Sequence, residues 1–304
     1  MLTIGSRGSK LALWQANWVK TELETRGHVS RIEIIQTTGD RITDVPLAKV
    51  GTKGLFTKEI EEALLEGRID LAVHSLKDMP TGLPAGLTLA AIPPREDPRD
   101  AVIGRRLADL GPGAKIGTSS LRRQAQLKLR RPDFDVLSVR GNLDTRLRKL
   151  DEGQFDAILL AAAGLRRLGW ADRIAEILSP EAMCPAVGQG ALAIETREDG
   201  GAGHVACGEL DDAATRLCVS AERGLLAAMG GGCQVPIGAH ATISDGVVSL
   251  RAVVVSPAGD RLIPGQASAA CQDIAAAGTL GAELADRMLE AGGARAILAA
   301  VYGQ

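Results

Sequence analysis

Aromatic residues make up only 2% of the 304-residue chain, which leaves no stacking platforms for nucleobases. The five cysteines, at 184, 207, 218, 233 and 271, lie apart without paired spacing, and the four histidines, at 28, 74, 204 and 240, form no ligand pattern. That spacing argues against a zinc site and for a reducing compartment. No charged segment followed by an apolar run opens the chain, so no secretory signal is expected. No apolar stretch is long enough to span a bilayer. Together these absences predict a cytoplasmic protein. An excess of charge is missing too: 35 Lys and Arg against 37 Asp and Glu give a net charge of −2. Neither nucleic acid nor membrane is expected as a partner, and any cationic site must be a local concentration of Arg and Lys. Nucleotide signatures are also lacking. There is no Gly-x-x-x-x-Gly-Lys-Ser/Thr, no Gly-x-Gly-x-x-Gly after the first strand, and Gly51-Thr-Lys-Gly54 is too short to cradle phosphates.

What is present is a long α/β pattern. At 304 residues with 45% hydrophobic content, two or three domains are expected. Leu2–Ser6 reads as a buried strand, with Ser9 as N-cap of the next helix. Strands over 31–36 and 69–74 flank a helix over 57–66 that Gly67 closes. Pro93-Pro-Arg-Glu-Asp-Pro-Arg99 reads as a hinge, after which the pattern restarts with strands over 114–117, 134–139 and 155–160 and helices opening at Ser120 and Asn142. Ile4-Gly-Ser echoes Ile116-Gly-Thr, and Glu66-Gly-Arg-Ile-Asp echoes Glu152-Gly-Gln-Phe-Asp, which suggests two similar, mostly parallel α/β domains. The strand over 191–195 is expected to return to the first sheet. A helix over 211–229 then leads to a small α+β unit with a strand over 247–255 and a helix over 274–290. The expected domains are 1–94 with 191–210, 98–187, and 213–304.

Three stretches carry candidate chemistry. Gly117-Thr-Ser-Ser-Leu-Arg-Arg123 places hydroxyls and two guanidinium forks at a helix start, an arrangement suited to an anion. Arg140 and Arg146 follow a strand, while Arg7 and Lys53 hold comparable positions in the first half; each could equally be a solvated surface cation. Such cations suit a ligand with several carboxylates. In Val73-His-Ser-Leu-Lys-Asp78, Ser75 and Lys77 could serve as nucleophile and base, but no nucleophile elbow is present. Asp78 is better suited to stabilise a developing cation, the alternative being a turn residue before Pro80. Finally, Met229-Gly-Gly-Gly-Cys233 bares the backbone beside one thiol. Cys233 reads as an attachment point or as a small residue buried at a turn.

Eight motifs occur in order: Leu11-Ala-Leu-Trp-Gln15, Lys53-Gly-Leu-Phe56, His74-Ser-Leu-Lys-Asp78, Arg95-Glu-Asp-Pro-Arg-Asp100, Gly117 to Gln124, Arg140-Gly-Asn142, Pro185-Ala-Val-Gly-Gln-Gly190 and Gly231-Gly-Cys-Gln-Val-Pro-Ile-Gly238. This series resembles the porphobilinogen deaminase (hydroxymethylbilane synthase) family. Gly230 and Lys10 depart from the family pattern without touching a residue assigned to chemistry. The resemblance implies a monomeric transferase of porphyrin (tetrapyrrole, heme) biosynthesis. Such an enzyme links four porphobilinogen molecules head to tail with loss of ammonia and releases hydroxymethylbilane by hydrolysis, for uroporphyrinogen III synthase. It implies two periplasmic-binding-protein-like, doubly wound α/β domains plus a small C-terminal α+β domain. It also implies a dipyrromethane cofactor on a thioether to Cys233, contacted by Lys77, Asp78, Thr118, Ser120, Arg122, Arg123, Arg146 and Gln189. Substrate would meet Arg7, Ser9, Gln15, Lys53, Phe56, Ser75, Arg140 and Arg146, with Asp78 as the catalytic residue that stabilises the cation and shuttles protons, and no metal. A non-catalytic two-domain binding protein for an anionic metabolite is the alternative.

Overall fold

A computed structural model of the chain describes residues 1–41, 55–232, 235–290 and 293–302. Lys53 and Cys233 fall outside these residues. The chain runs β1 (Leu2–Ser6), α1 (Lys10–Thr25), β2 (Ser30–Ile34), α2 (Thr38–Arg41), α3 (Lys58–Leu65), β3 (Leu71–Ser75) and β4 (Leu87–Ala91). Next come β5 (Asp100–Gly104), β6 (Lys115–Gly117), α4 (Leu121–Arg130), β7 (Asp135–Leu137), α5 (Leu143–Asp151), β8 (Ala157–Ala161), α6 (Ala162–Arg167) and β9 (Ile174–Leu178). It closes with β10 (Leu192–Arg197), α7 (Ala202–Gly208), α8 (Ala213–Ala228), β11 (Ile237–Ser244), β12 (Val247–Val255), β13 (Leu262–Ala270), α9 (Ile274–Glu290) and α10 (Ala294–Tyr302).

Two compact units result, Met1–Glu96 with Ala191–Arg216, and Asp97–Gly190 with Leu217–Gln304. The first holds a five-stranded sheet in the order β2-β1-β3-β10-β4. Strands β1, β2 and β3 are parallel, and β10 runs antiparallel between β3 and β4. The expected return of the chain to the first sheet is therefore observed. The sheet is mixed instead of mostly parallel, because the strand that returns from the second unit enters from the opposite end. Helices cover both of its faces: Ala16, Val19 and Leu23 of α1 join Leu2, Ile4 and Leu71 in one cluster. Ile60, Ala63 and Leu64 of α3 join Ile35 and Ala72 in another. Burial on both faces accounts for the fully buried strand β1 and for the Leu-Ala-Val run that opens β3.

In the second unit a sheet of order β7-β6-β8-β5-β9 repeats that pattern, now with β5 as the antiparallel strand. Alternation sorts its side chains: Val102, Ala157 and Leu159 pack with Leu127 of α4, whereas Ala101, Ile103, Ile158 and Leu160 pack with Leu147 and Leu165. A third, antiparallel sheet, β11-β12-β13, shares a core with Leu225 of α8, Leu284 of α9 and Ile297 of α10. The expected class, two doubly wound α/β sheets plus a small α+β unit, is the one observed. Among the described residues no helix is long and apolar enough to cross a membrane.

Candidate active site

At the C-terminal end of the first sheet, β1 stops at Ser6 and hands over to Arg7. The Arg7 guanidinium donates from Nε to Asp40 Oδ1 at 3.1 Å and lies 4.2 Å from the centre of the Phe56 ring. Burial alone would raise the Asp40 carboxyl, but Arg7 and the Thr37 donors outweigh it and leave it below the usual carboxylate range. Ser9 caps α1 by accepting from the Ala12 N–H at 3.3 Å. One α-helical face then buries Gln15, whose Nε2 donates to Ser75 Oγ at 2.9 Å. Arg7 with Phe56, and Gln15 with Ser75, are thus brought together.

Beyond Ser75 the strand does not continue. Leu76–Asp78 form a 3₁₀ turn, pinned where Leu76 N–H donates to Ala191 O at 3.0 Å and Met79 N–H to Leu76 O at 3.1 Å. Leu76 and Met79 are buried anchors on either side of half-buried Lys77 and exposed Asp78. A carboxylate is thereby presented at the strand exit on a short, doubly anchored turn. Beneath it His74 Nε2 lies 3.1 Å from Glu195 Oε2, with both side chains buried.

The equivalent end of the second sheet collects cations. Thr118 is buried; its backbone N–H donates to Leu137 O at 2.8 Å and its Oγ1 accepts from the Ser120 N–H at 3.2 Å. Ser120 caps α4, accepting from Arg123 N–H at 3.5 Å. Arg122 and Arg123, next on that helix, are buried and already face an anion of the protein itself. That anion is Asp100, fully buried at the start of β5. Arg122 Nη1 reaches its Oδ2 at 2.6 Å, and Arg123 Nε and Nη2 reach its Oδ1 at 3.0 and 2.7 Å. Burial would raise the Asp100 carboxyl, yet the two guanidinium groups hold it far below the usual carboxylate range. Gln189 completes the cluster, donating from Nε2 to Asp100 Oδ1 at 2.9 Å and to Pro98 O at 2.7 Å. Arg146 folds back on the turn before its helix, with Nε donating to Gly141 O at 2.8 Å, and the Arg140 carbonyl accepts from Lys149 at 3.3 Å. Asp100 was missed as a functional residue although it ends the Arg95–Asp100 motif. Asp40 and Glu195 gave no local signal, since their partners lie 33 and 121 residues away.

Two family models match the chain in tandem: "Porphobilinogen deaminase, dipyromethane cofactor binding domain" over residues 2–202, and "Porphobilinogen deaminase, C-terminal domain" over residues 216–290. The chain belongs to the porphobilinogen deaminase family. A porphobilinogen deaminase of Trichlorobacter lovleyi is 52% identical over 305 residues, covering 99% of this chain and 96% of its own. That of Syntrophotalea carbinolica is 53% identical over 305 residues with the same coverage. A solved ABC-transporter periplasmic substrate-binding protein from Coxiella burnetii covers 69% of this chain and 91% of its own at 13% identity and a TM-score of 0.43. That likeness carries no argument about chemistry.

A dipyrromethane built from porphobilinogen bears acetate and propionate side chains, and the second sheet's cluster fits such a group. Two guanidinium groups face one carboxylate, which leaves one positive charge over in a buried place. Arg122 Nε is moreover a buried donor without a partner among the described residues. Buried donors of this kind are costly when left unmatched, and a carboxylate is the anion a guanidinium fork matches best.

Proposed function

We propose that this chain performs its family's reaction, with the buried arginine cluster holding carboxylates of the dipyrromethane and Asp78 acting at the reacting atoms. The protein is a transferase that links four porphobilinogen molecules head to tail, releasing ammonia at each step and hydroxymethylbilane by a final hydrolysis. The observation that carries the assignment of roles is the buried Asp100–Arg122–Arg123–Gln189 cluster with its excess positive charge.

Arg122, Arg123 and Gln189, with Lys77, Thr118, Ser120 and Arg146, hold the carboxylates of the dipyrromethane, whose thioether is carried by Cys233. When bound, the dipyrromethane supplies the electron-rich pyrrole carbon to which substrate is joined. The other cysteines support Cys233 as the attachment point. Cys184, Cys207, Cys218 and Cys271 are buried, and burial pushes the Cys184 and Cys207 thiols up to about 12, so neither forms the nucleophilic thiolate.

Arg7, Ser9, Gln15, Lys53, Phe56, Ser75, Arg140 and Arg146 receive the acetate and propionate of porphobilinogen. Asp78 acts at the reacting atoms. Loss of ammonia from porphobilinogen leaves an electron-poor carbon conjugated to the pyrrole nitrogen. A carboxylate near that N–H stabilises the developing positive charge and can accept the proton shed when the new carbon–carbon bond restores aromaticity. The 3₁₀ turn suits this role because its anchors fix the carboxylate before charge develops.

The working unit is a cytoplasmic monomer of three domains, 1–94 with 191–210, 98–187 and 213–304, and it passes its product to uroporphyrinogen III synthase. Intact mass tests the cofactor reading. The purified protein should weigh two pyrrole units more than its sequence, and Cys233→Ala should weigh its bare sequence. A wild-type chain at its bare mass with full turnover would overturn it.

A further inference from the structure

The segment Cys184–Gly190 is fastened at almost every residue within the second unit. The Cys184 carbonyl accepts from Arg122 at 2.6 Å and from Gln126 at 3.1 Å. The Pro185 carbonyl takes the Ala239 N–H at 2.9 Å, and the Gly190 carbonyl takes Arg167 Nη2 at 2.7 Å. Gly188, at φ 69°, sits in the left-handed region that favours glycine. Its N–H donates to Oε2 of Glu222 at 2.7 Å. The other Glu222 oxygen, Oε1, accepts from the Ala241 N–H at 2.8 Å. Glu222 lies on α8 with no exposed surface, among the apolar residues Cys218, Ala221 and Leu225. A carboxylate in such a place is unfavourable unless donors satisfy it, and here each oxygen has a backbone N–H.

We propose that Glu222 is a positioning residue for the carboxylate-holding cluster: by fixing the backbone at Gly188 it sets where the Gln189 amide meets Asp100 and Arg123. Gln189 follows Gly188 directly, and its buried side chain both donates to Asp100 and accepts from Arg123 Nη2 at 3.4 Å. Its three rotatable bonds allow many placements, so the backbone beneath it decides which one is used. The same carboxylate fixes β11, the strand that follows the Cys233 segment. Ala239 and Ala241 are two residues apart on that strand and turn their N–H groups to one side, toward Pro185 and Glu222 respectively. One side chain thereby ties the arginine cluster to the strand leading from the attachment cysteine. The inference rests on the reading that Arg122 and Arg123 hold carboxylates of the dipyrromethane.

The test uses full-length chain produced without porphobilinogen and then given it, with intact mass following the gain of two pyrrole units. Glu222→Gln keeps the shape but offers one acceptor and one NH₂, so one of the two backbone N–H groups faces a donor. Uptake should slow about tenfold, the worth of one charge-assisted hydrogen bond. Glu222→Asp keeps an acceptor for Gly188 and should slow uptake less than Glu222→Gln, even if both lower the melting temperature equally. A role confined to stability would instead make uptake follow the melting temperature, and that outcome overturns the proposal. Should Glu222→Gln not fold, Glu222→Asp decides alone: uptake slower than wild type supports the proposal, and wild-type uptake overturns it. Arg123→Lys separates the underlying reading. If it is slow while Glu222→Gln loads like wild type, Glu222 is not the positioning residue and the clamp stands. If Arg123→Lys itself loads like wild type, the clamp reading has failed.

Discussion

The two five-stranded sheets share one strand order but treat their single antiparallel strand differently. In the first, that strand supplies Glu195, which meets the imidazole of His74. In the second it supplies Asp100, which meets two guanidinium groups. The first pair sets one carboxylate against one imidazole, so it holds no surplus of cations. Two arginines cannot be neutral, and the second cluster keeps a positive charge in its interior. The open end of each sheet differs to match. The first presents a carboxylate, Asp78, on an anchored turn after β3. At the corresponding place after β8 stand Ala163 and Gly164, which carry no chemistry. One topology therefore presents an exposed carboxylate in one copy and a buried arginine cluster in the other.

The largest expected effect breaks the cationic side of this contrast. Asp100→Ala strands two buried guanidinium groups, and unfolding in urea should show a loss of about 3–5 kcal/mol. The pH dependence has a definite sign. Because the folded carboxyl lies below its unfolded value of about 3.9, the stabilisation is complete above that pH and fades as pH falls toward the lower folded value. The gap between wild type and the variant should accordingly be constant from pH 7 down to about 5 and shrink on further acidification. A gap that grows on acidification would mean that Asp100 is not the charged partner.

Second in size is Asp78→Asn, which keeps shape and removes charge. Turnover should fall on the order of 10²-fold or more while urea unfolding changes little, since the side chain is exposed. Wild-type turnover would remove Asp78 from the mechanism. Glu195→Ala sharpens the comparison from the other direction. It removes one buried hydrogen-bond partner and strands a single imidazole instead of two guanidinium groups, and should cost only about 1–3 kcal/mol. A loss equal to that of Asp100→Ala would show that the two antiparallel strands carry equally costly pairs, and the contrast would fail. The smallest effects lie at the two helix starts. Ser9→Ala should cost about 1 kcal/mol of thermal stability, and Ser120→Ala less, because its cap bond is longer, 3.5 Å against 3.3 Å.

Much of the fold was legible where local pattern decides the outcome. The strand Val247–Val255 and the helix Ile274–Glu290 fall where periodicity places them, and Ser9 and Ser120 cap the helices they precede. The strand expected over 134–139 shrinks to Asp135–Leu137, because Phe134 and Val139 are buried without joining the ladder. Candidate site residues were legible as types more than as partners. Arg122 and Arg123 read as an anion site, but their internal counter-ion did not show, because it lies 22 and 23 residues earlier on another element. Glu222 could not be read at all, since the Gly188 and Ala241 amides that it accepts from are brought to it by tertiary packing. Charge pairing over long separations has no local periodicity to betray it.

The carbonyl of Pro185 and the carboxylate of Glu222 have a consequence outside catalysis. Strand β11 is an end strand of the small sheet, and such a strand with unsatisfied amides is a template on which another molecule can add a strand. Here the outward amides of Ala239 and Ala241 are already taken by the protein's own chain. The residues that order the arginine cluster thereby also close one route to self-association. Loosening them, as in Glu222→Gln, exposes that route along with any loss of function.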